Sequence, residues 1–465
     1  MNRYLILGAG IAGRRAAESI MQRDPTSKIT MVESQPNPFY ARPMLGELLS
    51  RKSGAESIST KDQELFSSPQ FEIRTGTAVE RLNLDDQTMV LSDKEVVSYD
   101  KLLIASGRKT QRRSSGEFAG LPGVVYLDRL GDAQELGNQI KMTRRADVFG
   151  SSFQATSMLR ALREKDIETT LVLPEDRLWP GALDRVSSEI VENRLTEEGI
   201  TILKSAEVLF LEKHGSDLQE VLISSGIRIP ADLLVMATPQ LPLADYLQNG
   251  DLDLNQGVQV NEMLRTSAEN VFAAGDIAYL PSENFSGPQP QVGWLRAWKQ
   301  GEVAGINMTG GDNAYKDIPS LRTKVMDLDI VCLGSSDIAG DDVRIETGDY
   351  PYPELPYIYK KLIYRNDRAA GAVFIGDVSE AGIVEEWISK GLKASQFDRT
   401  VHENMFSSHF HSSSNAHGVL CPVCKFHMQA DSHTEEGSII TCPACGIDFR
   451  MVRMPNGKFH AVAIN

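Results

Sequence analysis

The first 33 residues constrain the fold of this chain more than any other stretch. "RYLILGAGIAGRRAAESIMQ" has the pattern of a short apolar strand, a glycine turn and an amphipathic helix, with Gly8, Gly10 and Gly13 in the spacing G-x-G-x-x-G. In such a turn the first glycine permits the tight bend, the second lets a pyrophosphate approach the backbone, and the third lets the helix pack on the strand. A second apolar strand, "KITMVE", ends at Glu33, where a carboxylate accepts hydrogen bonds from a ribose diol. The pattern predicts a dinucleotide-binding βαβ unit.

Size and charge limit the remaining possibilities. A chain of 465 residues is too long for one compact core, and its 41% hydrophobic and 24% charged residues are typical of a globular protein. The net charge of -15 argues against nucleic acid or anionic lipid as the main partner. The sequence contains no uninterrupted run of about 18 apolar residues, so it does not predict a membrane span. The N-terminal apolar run is not followed by a cleavage-like site, which argues against a signal peptide. The cysteines are spaced in pairs that suit a metal ion, so we expect a cytoplasmic protein.

Several later segments follow the first unit in a recognisable order. They are "FYARPML" at 39–45, "YDKLLIASG" at 99–107, "LPGVVYLDRLGDAQEL" at 121–136, "NVFAAGDIA" at 270–278 and "AWKQGEVAGINMTG" at 297–310. With these segments the chain resembles the flavoproteins with two dinucleotide-binding domains, a family that includes rubredoxin reductases, ferredoxin reductases and the flavin-binding portion of assimilatory nitrite reductases. The resemblance covers roughly residues 1–390.

This resemblance implies that the first unit binds FAD. The Gly275–Asp276 pair would lie beside the ribityl chain and the pyrophosphate, and Arg42 would lie close to the flavin, with Pro43 fixing the turn. Asp276 also suits the N-cap of a helix. The residues expected at the FAD site are Gly8, Gly10, Ile11, Ala12, Gly13, Glu33, Arg42, Pro43, Ala105, Ser106, Gly107, Gly275 and Asp276.

A second βαβ pattern follows at residues 145–173, where the family binds NAD(P)H. Its fingerprint is altered, because Gly150, Ser152 and Ala155 stand at the three glycine positions. Leu173 occupies the place of the ribose-binding acid. Later, "MATPQLP" has Pro239 where the family has a glycine. We expect NAD(P)H contacts at Gly150, Ser152 and Ala155, and the sequence does not decide between NADH, NADPH and neither. Arg177 is the candidate for contacting a 2'-phosphate, although an exposed arginine is more often solvated.

The positions of the cysteines limit how electrons leave the flavin. No cysteine precedes Cys332, so the redox disulfide of many relatives is excluded, and Cys332 itself suits a buried strand. We therefore expect an FAD-dependent NAD(P)H oxidoreductase that passes electrons to a protein or small acceptor. One alternative is a flavoprotein subunit of an electron-transfer complex with a degenerate nicotinamide site. Another is a regulatory protein that signals through its flavin redox state. The sequence does not decide whether the protein forms a homodimer or is a subunit of a redox complex.

The C-terminal segment carries a separate signal. Cys421, Cys424, Cys442 and Cys445 form two Cys-x-x-Cys pairs, which predict one metal ion held by four thiolates. "CPACGIDF" resembles a rubredoxin knuckle, whereas "CPVCKF" lacks the glycine expected there. Geometry alone permits zinc or iron. We expect a structural or docking zinc ribbon, with a rubredoxin-like iron relay as the alternative.

The predicted fold is α/β. It has two Rossmann-like dinucleotide-binding domains, for FAD and NAD(P), an α+β C-terminal domain and a small four-cysteine metal-binding β module. The FAD domain is expected in two segments, at 1–112 and 241–312, on either side of the NAD(P)-like domain at 113–240. The α+β domain at 313–394, a linker at 395–418 and the four-cysteine module at 419–465 are expected to follow.

Overall fold

A computed structural model gives the fold of most of the chain. It describes residues 1–37, 39–50, 58–59, 67–110, 118, 121–215, 217–238, 240–247, 252–254, 256–281, 293–335, 342–347, 357–406, 417–421, 427–430, 435–442, 448–453 and 459–463. Within these residues no helix is long and apolar enough to cross a membrane.

The N-terminal sequence forms a five-stranded parallel sheet. In spatial order its strands are β19 (Val271–Ala273), β7 (Lys101–Ile104), β1 (Arg3–Leu7), β2 (Lys28–Val32) and β3 (Phe71–Arg74). Because β19 comes from about 170 residues beyond β7 along the chain, this unit is assembled from two separate segments.

Two helices pack against each other beside this sheet. Helix α1 (Ile11–Arg23) follows β1, and α6 (Trp294–Met308) follows β19 in sequence. A Cβ atom at Gly301 of α6 would overlap the carbonyl oxygen of Ala12. The two helices therefore approach more closely than side chains would permit, and α6 is held against the start of α1.

Four strands of the second unit repeat the order of the first, whereas its fifth strand precedes these four in the chain and the fifth strand of the first unit follows its other four. Its sheet is parallel throughout, in the order β12 (Ile200–Leu203), β11 (Glu168–Val172), β10 (Arg145–Phe149), β16 (Leu233–Met236) and β9 (Val124–Tyr126). Its helices are α3 (Leu130–Gln139), α4 (Phe153–Arg163) and α5 (Arg185–Glu197). The predicted pair of Rossmann-type units is thus confirmed. A short antiparallel ribbon of β8 (Arg108–Thr110) and β17 (Gln240–Pro242) joins the ends of β7 and β16.

The third sheet is antiparallel. Its spatial order is β21 (Ser320–Val325), β22 (Leu328–Gly334), β25 (Arg368–Ile375), β24 (Tyr359–Arg365) and β23 (Val343–Thr347). The hairpin between β24 and β25 turns at Asn366 and Asp367, both with positive φ, as the "RNDR" segment predicts.

Helices cover one face of the third sheet. Helix α7 (Ala381–Ser389) buries Val384 and Trp387 there. Helix α8 (Arg399–Phe406) lies in the segment predicted as a linker, and its Met405 is buried in the same apolar cluster. The structure therefore differs from the linker prediction at this point, because the apolar cluster that contains Trp387 gives this short helix a surface in which to bury Met405.

Smaller elements complete the described residues. Antiparallel strands beside the first unit are β4 (Val79–Asn83), β5 (Thr88–Leu91) and β6 (Val96–Ser98). Those beside the second are β13 (Val208–His214), β14 (Asp217–Ile223) and β15 (Arg228–Pro230). The remaining short elements are α2 (Glu47–Ser50), the parallel pair β18 (Val258–Gln259) and β20 (Ala278–Tyr279), and 3-10 turns at Arg42–Met44, Ile140–Met142 and Ala394–Gln396. At the C-terminus β26 (His417–Leu420) pairs with β27 (His427–Ala430), and β29 (Asp448–Arg453) lies between β28 (Ile439–Thr441) and β30 (Phe459–Ala463).

Candidate functional site

The glycine turn after β1 is shaped by two close approaches. Gly8 has φ +106°, and a Cβ atom there would overlap the carbonyl oxygen of Ala105. A Cβ atom at Gly13 would overlap the carbonyl oxygen of Gly8. Gly10 differs, since no described atom lies within 4 Å of the position of its Cβ. The turn thus needs glycine at positions 8 and 13 for packing, and it leaves open space at position 10 where the sequence predicts a pyrophosphate.

Glu33 is hydrogen-bonded to this turn. Its carboxylate is buried at the end of β2, where Oε2 accepts the backbone N–H of Ala9 at 2.9 Å and Oε1 accepts that of Gln35 at 2.9 Å. Oε1 also accepts the Ser34 hydroxyl at 3.3 Å, so Oε2 is the oxygen with room for a further hydrogen bond. The side chain is therefore held where it faces the mouth of the glycine turn, as the sequence predicts for a ribose-binding acid.

Asp276 lies between a helix start and several guanidinium groups. Its Oδ1 accepts the backbone N–H of Gly293, the N-cap residue of α6, at 3.0 Å. Burial raises the pKa of Asp276 above its usual value, while the Gly293 N–H and the charges of Arg42, Arg108 and Arg296 act in the opposite direction. Carboxyl and guanidinium groups of this kind suit the hydroxyls and phosphates of a dinucleotide.

Arg42 and Gly107 lie in the same region. A Cβ atom at Gly107, which has φ +73°, would lie 3.9 Å from Nη1 of Arg42. The Arg42 guanidinium lies 6.0 Å from the ring centroid of Tyr40, and Pro43 is the exposed residue after it at the start of a 3-10 turn. The structure thus brings together Arg42, Gly107 and Asp276, which are far apart in sequence.

The other predicted FAD-site residues have mainly structural contacts. Ile11 and Ala12 are buried in the first turn of α1. The Ala105 N–H donates to the Leu7 carbonyl at 2.8 Å. The Ser106 hydroxyl donates to the Leu243 carbonyl at 2.8 Å and lies 3.0 Å from the Tyr246 hydroxyl. These residues shape the walls of the site.

Sequence reasoning missed two residues of this site. Arg108 donates from Nε to the carbonyl oxygen of Asp276 at 2.8 Å and from Nη1 to that of Gln240 at 3.0 Å. Gly293 donates to Asp276 from 17 positions further along the chain. The sequence could have indicated both residues. Arg108 directly follows the "ASG" segment, and Gly293 directly precedes an apolar helix.

The glycine turn of the second unit keeps the geometry of the first. Gly150 has φ +112°, and a Cβ atom there would overlap the carbonyl oxygen of Ala237, as one at Gly8 would overlap that of Ala105. Ser152 is the N-cap of α4, and its Oγ accepts the N–H of Ala155 at 3.3 Å. Ala155 is fully buried. The small replacements thus preserve the turn. A small recess beside Ser152 is lined by Thr110, Leu127, Ser152, Met158, Val235, Met236 and Ala237.

The two units differ in the residue at the position of the ribose-binding acid. Leu173 donates its N–H to the Leu203 carbonyl at 2.8 Å, just as Glu33 donates to Arg74 at 2.8 Å, so these two residues occupy equivalent positions. The Leu173 side chain is fully buried in the apolar core. Pro239 lies outside the described residues.

Two of the four C-terminal cysteines lie within the described residues. Cys421 and Cys442 are both buried and share one apolar cluster with Phe449 and Met451. Cys424 and Cys445 lie outside the described residues. Among the residues that the structure describes, no three metal-ligating side chains meet. The third-sheet cysteine, Cys332, is buried in β22 as expected, and burial raises the pKa of its thiol well above the usual value.

Comparison with known proteins gives the family. A sequence model described as pyridine nucleotide-disulphide oxidoreductase matches residues 2–301, which include both glycine turns and Asp276. The chain belongs to this family. It is an FAD-dependent NAD(P)H oxidoreductase, as the sequence predicts.

Individual relatives have low sequence identity to this chain, but the matches cover most of its length. The oxidoreductase is 28% identical over 345 residues to rhodocoxin reductase of Rhodococcus erythropolis, covering 74% of this chain and 80% of that one. It is 28% identical to the NADH-dependent phenylglyoxylate dehydrogenase subunit epsilon of Aromatoleum evansii, covering 84% and 90%. It is 23% identical to the assimilatory nitrate reductase electron transfer subunit of Bacillus subtilis (strain 168), covering 81% of this chain and 48% of that one.

Solved structures show the same fold. The crystal structure of a covalent putidaredoxin reductase–putidaredoxin complex contains a chain that matches with a TM-score of 0.78 and 21% identity, covering 86% of the oxidoreductase and 97% of that chain. The arrangement of two parallel sheets and one antiparallel sheet is therefore an established one.

Proposed function

We propose that the oxidoreductase passes electrons from NAD(P)H through FAD to a small protein electron carrier of the ferredoxin or rubredoxin type. The observation that carries this proposal is the position of the cysteines. The first cysteine is Cys332, and its side chain is 4% exposed in the middle of β22. No thiol pair is therefore available in the dinucleotide units to receive electrons from the flavin. The names of the relatives, among them rhodocoxin reductase and NADH-rubredoxin oxidoreductase, support a carrier as the acceptor.

The first unit would bind the FAD. When bound, flavin supplies the ability to take up two electrons together and release them singly. The open space at Gly10 and the positive end of α1 suit the pyrophosphate. Glu33 suits a ribose diol, and Asp276, held by the Gly293 N–H, suits a polyol hydroxyl. Arg42 adds a positive charge beside Gly107.

The second unit would bind the nicotinamide nucleotide. Its turn at Gly150 has the shape of the first turn, and Ser152 and Ala155 are small enough to keep the helix close to the strand. With the first unit at 1–112 and 241–312 and the second at 113–240, the ribbon of β8 and β17 lies where the chain passes between them. The third domain, at 313–394, need not contribute chemistry.

Anaerobic rapid mixing with NADH and with NADPH tests the proposal. Loss of the visible absorbance of oxidised flavin within milliseconds to seconds is expected with at least one of them. Addition of an oxidised ferredoxin or rubredoxin should then restore that absorbance and reduce the carrier. Reduction of the flavin followed by oxidation only by small quinones or dyes would overturn the protein acceptor while keeping the donor.

A specific observation favours a second candidate function. Leu173 fills the position of the ribose-binding acid, so the nicotinamide site is degenerate at its most diagnostic residue. The chain would then be a flavoprotein subunit of an electron-transfer complex. In support, one relative is named as an electron transfer subunit and another as a dehydrogenase subunit. If neither nucleotide reduces the flavin and none binds, this second function replaces the first.

We further propose that Cys421, Cys424, Cys442 and Cys445 hold one metal ion in a module at 419–465. Support comes from the spacing of the two pairs and from the burial of Cys421 and Cys442. A structural or partner-docking zinc ribbon is the favoured form, and a rubredoxin-like iron relay is the alternative. Elemental analysis should find one equivalent of metal that is lost in Cys421→Ser. Thiolate-to-iron colour would select the relay, and less than a tenth of an equivalent of any metal would overturn the site.

A further inference from the structure

The residue after the first glycine differs between the two units. In the first unit this residue is Ala9, whose backbone N–H donates to Glu33 at the end of β2. In the second unit it is Ser151, whose hydroxyl donates to Oε1 of Glu175 at 3.2 Å. Glu175 lies two positions beyond Leu173, the equivalent of Glu33. Each glycine turn is thus joined to a carboxylate from the following strand end, but the second unit reaches it through a side chain.

We propose that Glu175, positioned by Ser151, takes the place of the missing acid and makes the second unit selective for a nucleotide with a free 2'-hydroxyl. The preferred donor is then NADH rather than NADPH. This inference rests on the proposed function of the second unit as the nicotinamide site. It assigns the role to a residue outside the position at which the fingerprint places the acid.

The Ser151–Glu175 pair is held from both sides. The backbone oxygen of Ser151 accepts the indole N–H of Trp179, a buried side chain. The backbone oxygen of Glu175 accepts the N–H of Ser205 at 2.9 Å. These bonds connect the glycine turn, the end of β11 and the end of β12. The Glu175 carboxylate therefore has a defined position beside the turn.

One carboxylate oxygen of Glu175 is left for a ligand. Oε2 is buried and has no hydrogen-bond partner among the described residues. A buried acceptor without a partner is destabilising, so a donor that enters the site and satisfies it binds favourably. A ribose diol offers such donors. The adenosine ribose of a dinucleotide lies at the end of the second strand of a Rossmann unit, which is where Glu175 stands.

The charges nearby disfavour a 2'-phosphate. Arg177 is the cation closest in sequence, but its Nη1 contacts Oδ1 of Asp176 at 3.1 Å and its Nη2 donates to the Pro180 carbonyl at 3.4 Å. The other oxygen of Asp176 contacts Arg185 at 3.0 Å. The guanidinium is thus already engaged by a carboxylate. A phosphate with nearly two negative charges would meet Glu175 and Asp176 together.

Equilibrium binding separates this role from a merely structural one. NAD⁺ and NADP⁺ are titrated calorimetrically into the oxidised flavoprotein, so that no turnover is needed. Wild type is expected to bind NAD⁺ at least about tenfold more tightly than NADP⁺, because a hydrogen bond to a charged group changes affinity by that order. Glu175→Gln should lose about tenfold for NAD⁺ and nothing for NADP⁺. Ser151→Ala should also lower the preference for NAD⁺ over NADP⁺, but by a smaller factor.

A matched control lies on β11, the strand that precedes Glu175. Glu168 is the exposed first residue of β11, at the end away from the turn, and Glu168→Gln should leave both affinities unchanged. Equal affinity of wild type for the two nucleotides, or equal losses for both in Glu175→Gln, would overturn the inference while the proposed function stands. Binding of neither nucleotide by wild type would instead overturn the nicotinamide site itself.

Discussion

The two glycine turns share one backbone geometry and differ in the side chains around it. Gly8 and Gly150 have φ values of +106° and +112°, and each lies against the carbonyl of the residue after a neighbouring parallel strand. The N–H groups of both glycines donate to the last residue of the next strand, Val32 or Val172. Only the first glycine is common to both turns. The comparison therefore separates the residue that makes the turn from the residues that determine what the turn binds.

The core strands differ at one central position as well. Leu5 of β1 and Asp147 of β10 both lie three residues before the first glycine, and both side chains are about 1% exposed. Burial raises the pKa of Asp147 to about 8, against the smaller effects of a hydrogen bond with Thr170 and the charge of Arg145. The second unit thus contains a buried carboxyl group where the first has a leucine. Four predictions test how far the equivalence of the units extends.

The largest effect is expected at the first glycines. Gly8→Ala and Gly150→Ala each combine a positive φ with overlap against a backbone carbonyl, so each should lower the free energy of unfolding by about 3 kcal/mol or more. Chemical denaturation measures this change. Gly10→Ala is the control, since it faces open space, and it should cost under about 1 kcal/mol while weakening FAD retention. A mild effect of Gly150→Ala alone would show that the second turn is not equivalent to the first.

The second prediction concerns pH. The raised pKa of Asp147 means that the folded state retains a proton that the unfolded chain releases above about pH 4. Its contribution to stability is complete below that pH and is lost as the pH rises towards about 8, by at most about 1.4 kcal/mol per pH unit. Asp147→Asn should flatten this dependence in denaturation curves recorded from about pH 5 to about pH 8.

Asp100→Asn provides the contrast for this pH experiment. A hydrogen bond from Arg3 lowers the pKa of this exposed carboxyl group. Its stabilising contribution is therefore present at neutral pH and is lost only as the pH falls below about 4. Unchanged pH dependence in Asp147→Asn would mean that the carboxyl group is solvated in the folded protein.

A third, smaller effect is expected on FAD affinity. Glu33→Gln replaces one of two oxygens that accept backbone N–H groups at 2.9 Å, and the loss of a charged acceptor should weaken FAD by about tenfold. Fluorescence titration of the apoprotein measures it. Glu18→Gln, in α1 but paired with Arg14 and Arg15 at the surface, should leave FAD affinity unchanged. Similar losses in both variants would contradict the role given to Glu33.

The smallest effect is expected at the start of the second helix. Ser152 caps α4 by accepting the Ala155 N–H, whereas Gly10 at the equivalent position has no side chain to do so. Ser152→Ala should therefore cost about 1 kcal/mol and Ser152→Gly only a few tenths. Thermal unfolding at fixed FAD concentration would resolve the two. Equal stability of both variants and wild type would show that the cap is not formed in solution.

Local patterns predicted much of this protein. Gly8-x-Gly10-x-x-Gly13 and the strand that ends at Glu33 act within one βαβ unit, so their spacing alone indicated the first unit. The second βαβ pattern was equally visible, although Ser152 and Ala155 altered its fingerprint. Contacts between distant segments were not predictable in this way. Arg108 meets Asp276 from 168 positions away, and nothing local in either segment encodes that distance.

The C-terminal half shows the same limit. The segment 395–418 has the composition of a linker, yet Arg399–Phe406 is helical in the structure. Isolated helices of this length are marginal in water, so the helix depends on the apolar surface that Trp387 and its neighbours provide. Composition describes the segment by itself, whereas its conformation depends on what it packs against.

The sequence by itself determined the two βαβ units, the absence of a redox disulfide before Cys332 and the spacing of the four C-terminal cysteines, because each depends on residue identity at short range. Only the tertiary structure decided which carboxylate lies at the second turn. Glu33 is held by a backbone N–H, whereas Glu175 is held by the Ser151 side chain after Leu173 has entered the core. The physical reason is that a hydrogen bond depends on distance in space, and strand pairing sets that distance between residues 24 positions apart.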